Sequence, residues 1–313
     1  MIQKRRIGII GTGHVGVAAA YALFLRGLAS EIVLIDRDAE RAEGEAMDLT
    51  HGRAFGESVD VSSGSYEDLA DAQVVVVTAG VAQQPGESRL NLLNRNAEVF
   101  RDIVAQLDRH APQAALVIAS NPVDILTHIT QRLSRRDPRC VIGTGTLLDT
   151  ARFRTLLGRH YGVDARSVHA YIVGEHGDSE VPLWSSASIG GVRLVDHTVM
   201  EIPFDENRMR QLFEAVRDAA YAIIVRKGYT NTAIGVAIVR LVAAILDDQR
   251  SVLPVSRRLN GEYGLTDICL SIPSVIGRQG VEGAILPPLD ATELEGLERS
   301  AAVIGHELGG IAL

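Results

Sequence analysis

His176 lies between glycines in Gly174-Glu-His-Gly-Asp178, a setting that leaves an imidazole open to approach. A lone histidine is often a packed structural residue, but flanking glycines bare the backbone and suit a group that gives or takes a proton near neutral pH. A second cluster, Asp149-Thr-Ala-Arg152, falls where helical periodicity begins. Residues three apart share a helix face, so the pair reads either as a surface ion pair, worth about 0.2–0.5 kcal/mol, or as a carboxylate and a guanidinium aimed at one small molecule. The third cluster, Gln83-Gln-Pro-Gly-Glu-Ser-Arg89, is a loop whose proline and glycine suit a mobile lid. Arg89 reads equally well as an ordinary solvated arginine.

Together these clusters meet the requirements for reducing a 2-keto acid. A hydride reaching a carbonyl carbon leaves charge on oxygen, and His176 supplies the proton that neutralises it. A buried carboxylate orients such an imidazole and stabilises its protonated form, a role open to Asp149. Arg152 suits the substrate carboxylate, because a planar guanidinium grips it by two parallel hydrogen bonds that lysine cannot reproduce. Arg89, carried in with the lid, would polarise the carbonyl once water is excluded.

The elements that must position these groups begin with Ile7-Gly-Ile-Ile-Gly11-Thr-Gly13-His14-Val15-Gly16, closed twenty residues later by Asp36 after the run 31–35. The pattern predicts strand, glycine turn, helix over 14–27, then strand. Gly11 permits the tight turn, Gly13 lets backbone approach a pyrophosphate, and Gly16 lets helix and strand pack closely. Unpaired N–H groups at the helix start suit a phosphate. Asp36 can accept hydrogen bonds from ribose hydroxyls and repels a 2′-phosphate, which favours NAD over NADP, while Arg37 tempers that preference. Glycines in such a turn also serve plain packing, but the flanking strand, helix and acid favour cofactor binding.

Apolar strands over 71–80 (ending at Gly80), 114–119 and 141–145 alternate with helices over 39–51 and 90–110, which implies a parallel sheet. Pro122 holds Asn121 extended at a strand tip. Beyond residue 145 the pattern changes. It predicts a helix from 147, a strand over 168–173, a hairpin at Gly190-Gly191, helices over 204–226 and 232–246, an antiparallel sheet from the runs 252–256, 266–272 and 281–286, and a helix over 291–306. Two domains follow, 1–145 for the dinucleotide and 146–313 for substrate and catalysis.

The 313 residues suffice for two cores. A net charge of −8 and the lack of a basic stripe interleaved with aromatics argue against nucleic acid as a partner. Cys140 and Cys269 sit in apolar runs that read as buried strands, with no disulfide framework or metal site implied. Lys4-Arg5-Arg6 and the apolar stretch after it imitate a secretory leader, but cleavage there would destroy the glycine fingerprint. No run has the length of a membrane span. The expectation is a cytoplasmic protein.

The chain resembles the L-lactate dehydrogenases of the lactate/malate dehydrogenase superfamily, through Gly11-Thr-Gly-His-Val-Gly16, Gln83-Gln-Pro-Gly-Glu-Ser-Arg89, Ser120-Asn-Pro-Val-Asp124, Leu148-Asp-Thr-Ala-Arg-Phe-Arg154, Gly174-Glu-His-Gly-Asp178 and Lys227-Gly-Tyr-Thr230. The resemblance implies a doubly wound parallel (Rossmann) sheet with a C-terminal α+β substrate domain, NAD as cofactor, and reduction of pyruvate to L-lactate. It assigns His176 as proton donor and acceptor, Asp149 as its partner, Arg152 as carboxylate clamp and Arg89 as lid arginine. Asn121 would bond the substrate oxygen and border the nicotinamide, and Thr230 would line the pocket. In the malate enzymes the position six before the lid arginine is an arginine that pairs a second carboxylate. Here it is the uncharged Gln83, which disfavours oxaloacetate because a buried, unpaired carboxylate costs several kcal/mol. Thr232 departs from the aromatic residue that lactate dehydrogenases often carry, which bears on substrate breadth. Arg154 and His169 match the pair that binds fructose 1,6-bisphosphate between subunits of the bacterial allosteric type, implying that effector and a homotetramer. The alternatives are a malate or broad 2-keto acid dehydrogenase, and a nucleotide-binding module without turnover.

Overall fold

The computed structural model describes residues 5–81 and 86–311. The β-branched runs of the first half become parallel strands because helices cover them on both faces. β1 (Arg6–Ile10) lies between β2 (Glu31–Ile35) and β4 (Val74–Val77), with Ile7 opposite both Ile32 and Val74. β3 (Asp60–Ser63) extends the sheet beyond β2, and β5 (Ala115–Ile118) and β6 (Val141–Gly143) extend it beyond β4. The chain order therefore reverses between β1 and β4, where the C-terminal strand ends open a crevice suited to a ligand.

Alternate strand residues feed separate cores. Ile7, Ile9, Ile32, Leu34, Val74 and Val76 pack with α1 (His14–Arg26), α2 (Ala39–His51) and α8 (Thr232–Leu246). Ile10, Val33, Val75 and Val77 pack with α3 (Arg89–His110), α4 (Val123–Leu133) and α9 (Ala291–Leu308). A third core forms where α5 (Leu147–Tyr161) meets α6 (Glu206–Arg217), through Phe153, Leu157, Met209 and Val216.

The second half departs from expectation in three ways. The antiparallel strands β12 (Ser251–Asn260), β13 (Thr266–Gly277) and β14 (Gly280–Ala284) do not form a sheet of their own. β12 pairs with β6 at Ser256 and Gly143, giving one nine-stranded mixed sheet. The run 168–173 is two strands, β7 (Val168–His169) and β8 (Ile172–Val173), in different small sheets. β8 pairs with β9 (Val181–Pro182), while β7 pairs with β10 (Ser188–Ile189), which turns through Gly190-Gly191 into β11 (Val192–Arg193). Both halves contain buried apolar residues, so composition hides the break. The helix expected over 204–226 divides at Asp218 into α6 and α7 (Ala219–Lys227). α6 buries Met209, Leu212 and Val216 while α7 buries none of its residues, so one apolar periodicity spans two helices that do not share a core.

Cys269 is buried in β13 as expected, but Cys140 ends a 3₁₀ turn and is partly exposed. Among the described residues, no helix is long and apolar enough to cross a membrane, and no group of His, Cys, Asp and Glu is placed to hold a metal.

Candidate active site

The glycine turn has the shape that a dinucleotide needs. A Cβ on Gly16 would stand 1.9 Å from the Gly11 carbonyl oxygen, so no other residue fits there without moving the turn. A Cβ on Gly13 would meet nothing within 4 Å, which leaves its backbone open for a pyrophosphate. No side chain caps the N-terminus of α1 and no acid sits in its first turn, so its N–H groups remain available to an anion. His14 is exposed and Val15 half-buried at that start. Thr12 donates its backbone N–H (2.6 Å) and its hydroxyl (3.0 Å) to Asp36 Oδ2, and Asp38 N–H donates to Oδ1 at 3.1 Å. Partial burial opposes ionisation of Asp36, yet these bonds hold its carboxyl below the usual range, and an ionised Asp36 suits ribose hydroxyls and repels a 2′-phosphate. Arg37 is exposed. Gly80 follows β4 and is exposed; the next residue, Val81, donates its N–H to the buried Asn96 Oδ1 at 3.0 Å.

Across the crevice, one carboxylate organises two cations. Asp149 Oδ2 accepts from His176 Nδ1 at 2.6 Å, and its Oδ1 accepts from Arg152 Nη1 at 2.8 Å. Asp149 is buried, with Arg152 and His176 side chains 17% and 27% exposed. Burial opposes the Asp149 carboxylate, but the His176 and Arg152 charges hold its pKa below the usual range. Burial likewise opposes the imidazolium, and the Asp149 charge and hydrogen bond override it, pushing the His176 pKa up to about 9. With Nδ1–H committed to Asp149, Nε2–H is the proton left for a substrate oxygen. The bland reading of Asp149 and Arg152 as a surface pair fails, since the carboxylate is buried.

Three successive backbone amides fix the histidine. Gly174 N–H donates to the Ser271 carbonyl (2.9 Å), Glu175 N–H to Ser300 Oγ (2.6 Å) and His176 N–H to Asp124 Oδ2 (2.7 Å), so β13, α9 and α4 each hold one. Ser271 Oγ also accepts the Thr146 N–H at 3.0 Å, which refers the start of α5, and hence Asp149, to the strand that holds Gly174. Burial pushes the Asp124 pKa up to about 6, against the bond from the His176 amide and the nearby His176 charge. Burial and the Asp149 charge push buried Glu180 up to about 8.

Asp124, Ser271 and Ser300 are supports that sequence reasoning missed. A signal existed for Asp124 alone: a carboxylate in the apolar start of a helix, two residues after Pro122, must find a partner when buried. Asn121 is exposed at the tip after β5, on the segment that leads to Asp124. Thr230 is half-buried between α7 and α8, and Thr232 is exposed at the start of α8, its hydroxyl 3.2 Å from Asn231 Oδ1. Arg89 does not join the cluster. Its Nε lies 2.7 Å from Glu307 Oε1 on α9 and its side chain is 62% exposed. Gln83 lies outside the described residues. Arg154 Nε donates to the Ala170 carbonyl at 2.9 Å, which brings its side chain beside the neighbour of the exposed His169.

Both halves of the chain match models of one protein family. Residues 5–143 match the lactate/malate dehydrogenase, NAD binding domain family, and residues 146–309 match the lactate/malate dehydrogenase, alpha/beta C-terminal domain family. The chain is 58% identical to an L-lactate dehydrogenase of Salinibacter ruber over 97% of its own length and 96% of the relative's. It is 48% identical to one of Thermus aquaticus, over 96% and 97% respectively. The crystal structure of the minor L-lactate dehydrogenase from Enterococcus mundtii in the ligands-bound form superposes with a TM-score of 0.96 at 44% identity, covering 99% of each chain.

Proposed function

Because the chain belongs to the lactate/malate dehydrogenase family and is an NAD-dependent oxidoreductase, we propose that it is an L-lactate dehydrogenase that reduces pyruvate with NADH and runs the reverse reaction. The observation that carries this reading is the Asp149 carboxylate, bonded at once to His176 Nδ1 and Arg152 Nη1. Bound NADH supplies the hydride. Arg152 receives the substrate carboxylate on the guanidinium edge not held by Asp149, which leaves the keto oxygen for His176 Nε2–H. As charge grows on that oxygen, Nε2 gives up its proton, and Asp149 stabilises the imidazolium until it does. Asn121 contributes a further hydrogen bond from the tip after β5. Arg89 has to leave Glu307 before it can polarise the carbonyl. Labour divides near residue 145, with Gly11, Gly13, Gly16 and Asp36 holding the nucleotide before it and His176, Asp149, Arg152 and Thr230 serving the substrate after it.

Gln83 makes pyruvate the preferred keto acid over oxaloacetate. Gln83→Arg is expected to shift the pyruvate-to-oxaloacetate ratio of kcat/KM by about 10²-fold or more toward oxaloacetate, given the cost of an unpaired buried carboxylate. Steady-state NADH oxidation on both acids measures it, and an unchanged ratio refutes the role. Wild-type enzyme that binds NADH but oxidises it with neither acid would sink the whole reading.

We infer further that the enzyme is cytoplasmic and a homotetramer regulated by fructose 1,6-bisphosphate at Arg154 and His169. Supporting the oligomer, α7 buries none of its residues although it carries Tyr221, Ile223, Ile224 and Val225, the last 85% exposed. Supporting the effector, Arg154 reaches the residue that follows His169, so facing subunits can gather these guanidinium and imidazole groups around a bisphosphate. Saturating bisphosphate is expected to lower the pyruvate KM by about fivefold or more. An unaltered KM and oligomer distribution would remove the site.

A further inference from the structure

The imidazole of His14 and the phenol ring of Tyr229 stack with centroids 3.8 Å apart and planes 2° from parallel. His14 is the first residue of α1, directly after Gly13 of the dinucleotide turn, and Tyr229 directly precedes Thr230. The contact therefore joins the two ligand-binding segments without passing through the sheet. Tyr229 is anchored on its own side as well. Lys227 Nζ lies 4.8 Å from its ring centroid and donates to Asn231 Oδ1 at 2.7 Å, so the segment between α7 and α8 is tied to itself around the ring.

Further along, α1 meets α8, the helix that follows the Tyr229 segment. A Cβ on Gly235 of α8 would stand 2.9 Å from the Ala18 carbonyl carbon and oxygen, so the α8 and α1 backbones approach as closely as glycine permits. Gly235 is buried in that contact. The ring pair near the cleft is at the surface, with His14 exposed and Tyr229 37% exposed. One end of the α1 and α8 pair is thus locked by backbone, and the end that borders both ligands is held by two rings.

We propose that the His14 and Tyr229 stack is a clasp by which the nucleotide turn positions Thr230, so that both are positioning residues for the keto acid. A phosphate settling on the turn beside Gly13 fixes His14, the stack fixes Tyr229, and the next peptide carries Thr230. Keto-acid affinity then depends on a contact that touches no keto acid. This inference rests on the lactate dehydrogenase reading for its substrate.

The test is a double-mutant cycle on His14→Ala, Tyr229→Ala and both together, with Tyr229→Phe as the conservative variant. Pyruvate KM and kcat are measured at saturating NADH, and NADH Kd by fluorescence titration. An aromatic pair of this kind implies that each alanine variant raises the pyruvate KM roughly three- to tenfold with a smaller change in kcat. The double variant should be little worse than either single one, and Tyr229→Phe should keep the KM near the wild-type value because the ring remains. Additive effects, a phenylalanine variant as impaired as the alanine one, or a Tyr229→Ala defect confined to NADH Kd would each overturn the clasp. Wild-type enzyme inert toward pyruvate defeats the substrate reading instead, so the two failures are distinct.

Discussion

Asp149→Asn is expected to reduce kcat/KM for pyruvate by about 10²- to 10⁴-fold, the range that a lost acid–base partner removes. An asparagine that keeps its oxygen on Arg152 turns its amide toward His176 Nδ1. That nitrogen must then accept a hydrogen bond, so the ring is held neutral. The pH profile should change with the rate. Reduction needs the imidazolium, so wild-type kcat/KM is expected to fall as pH rises through about 9, where His176 loses its proton, whereas lactate oxidation should rise through the same region. Without the carboxylate, burial still disfavours the charged ring and only the smaller effects of Asp124 and Glu180 oppose it, so in the variant this limb moves to lower pH. The stability linkage has the same sign. A His176 pKa raised from 6.5 to about 9 contributes stability that is full below 6.5 and lost as pH rises through 9. Asp149, with its pKa lowered, contributes stability above 3.8 that is lost as pH falls. Steady-state pH profiles of both proteins measure the effect, with NADH Kd as the control because Gly11 to Gly16 are untouched. A variant within threefold of wild type, or an alkaline limb still near pH 9, would remove Asp149 from the role.

What could be read from the sequence was what sits in short, contiguous stretches. The glycine turn, its closing Asp36, and the one-turn spacing of Asp149 and Arg152 are local patterns whose geometry follows from helix and strand periodicity. The pairing of Asp149 with His176 is different, because 27 residues separate them and only the chemistry of proton donation links them in advance. Of the groups that hold His176, only Asp124 left a signal. Ser271 and Ser300 are small hydroxyl residues in buried runs, indistinguishable in sequence from any other core serine, and they matter because β13 and α9 bring them under the successive amides of Gly174 and Glu175. The join of β12 to β6 was hidden for a similar reason. Edge pairing depends on which strand of the second half reaches the last parallel strand, and no residue type marks Ser256 as the partner of Gly143. Arg89 marks another limit, since a motif names the residue but not the carboxylate, Glu307, that it meets here.

Arg152→Lys is expected to raise the pyruvate KM by about 10²-fold, with kcat reduced less, because charge is conserved and geometry is not. Arg152 already donates Nη1 to Asp149 at 2.8 Å and still offers a planar edge for a substrate carboxylate. A lysine ammonium is a single point with three donors and a shorter reach. At a site only 17% exposed, it can satisfy Asp149 or grip the substrate in one place, but it cannot present two parallel N–H groups while bonded to the carboxylate. Loss of the second hydrogen bond costs the ground state and the transition state alike, and this puts the defect in KM. Loss of orientation adds a kcat component, since a carboxylate held at one point lets the keto oxygen swing away from His176 Nε2. The alkaline limb should stay near that of wild type, because Asp149 keeps its bond to His176, and this separates the variant from Asp149→Asn. Steady-state kinetics across pyruvate concentration, with NADH titrated in parallel, decide the matter. A KM within twofold of wild type, or a rise matched by an equal rise in NADH Kd, would show that Arg152 does not hold the substrate carboxylate.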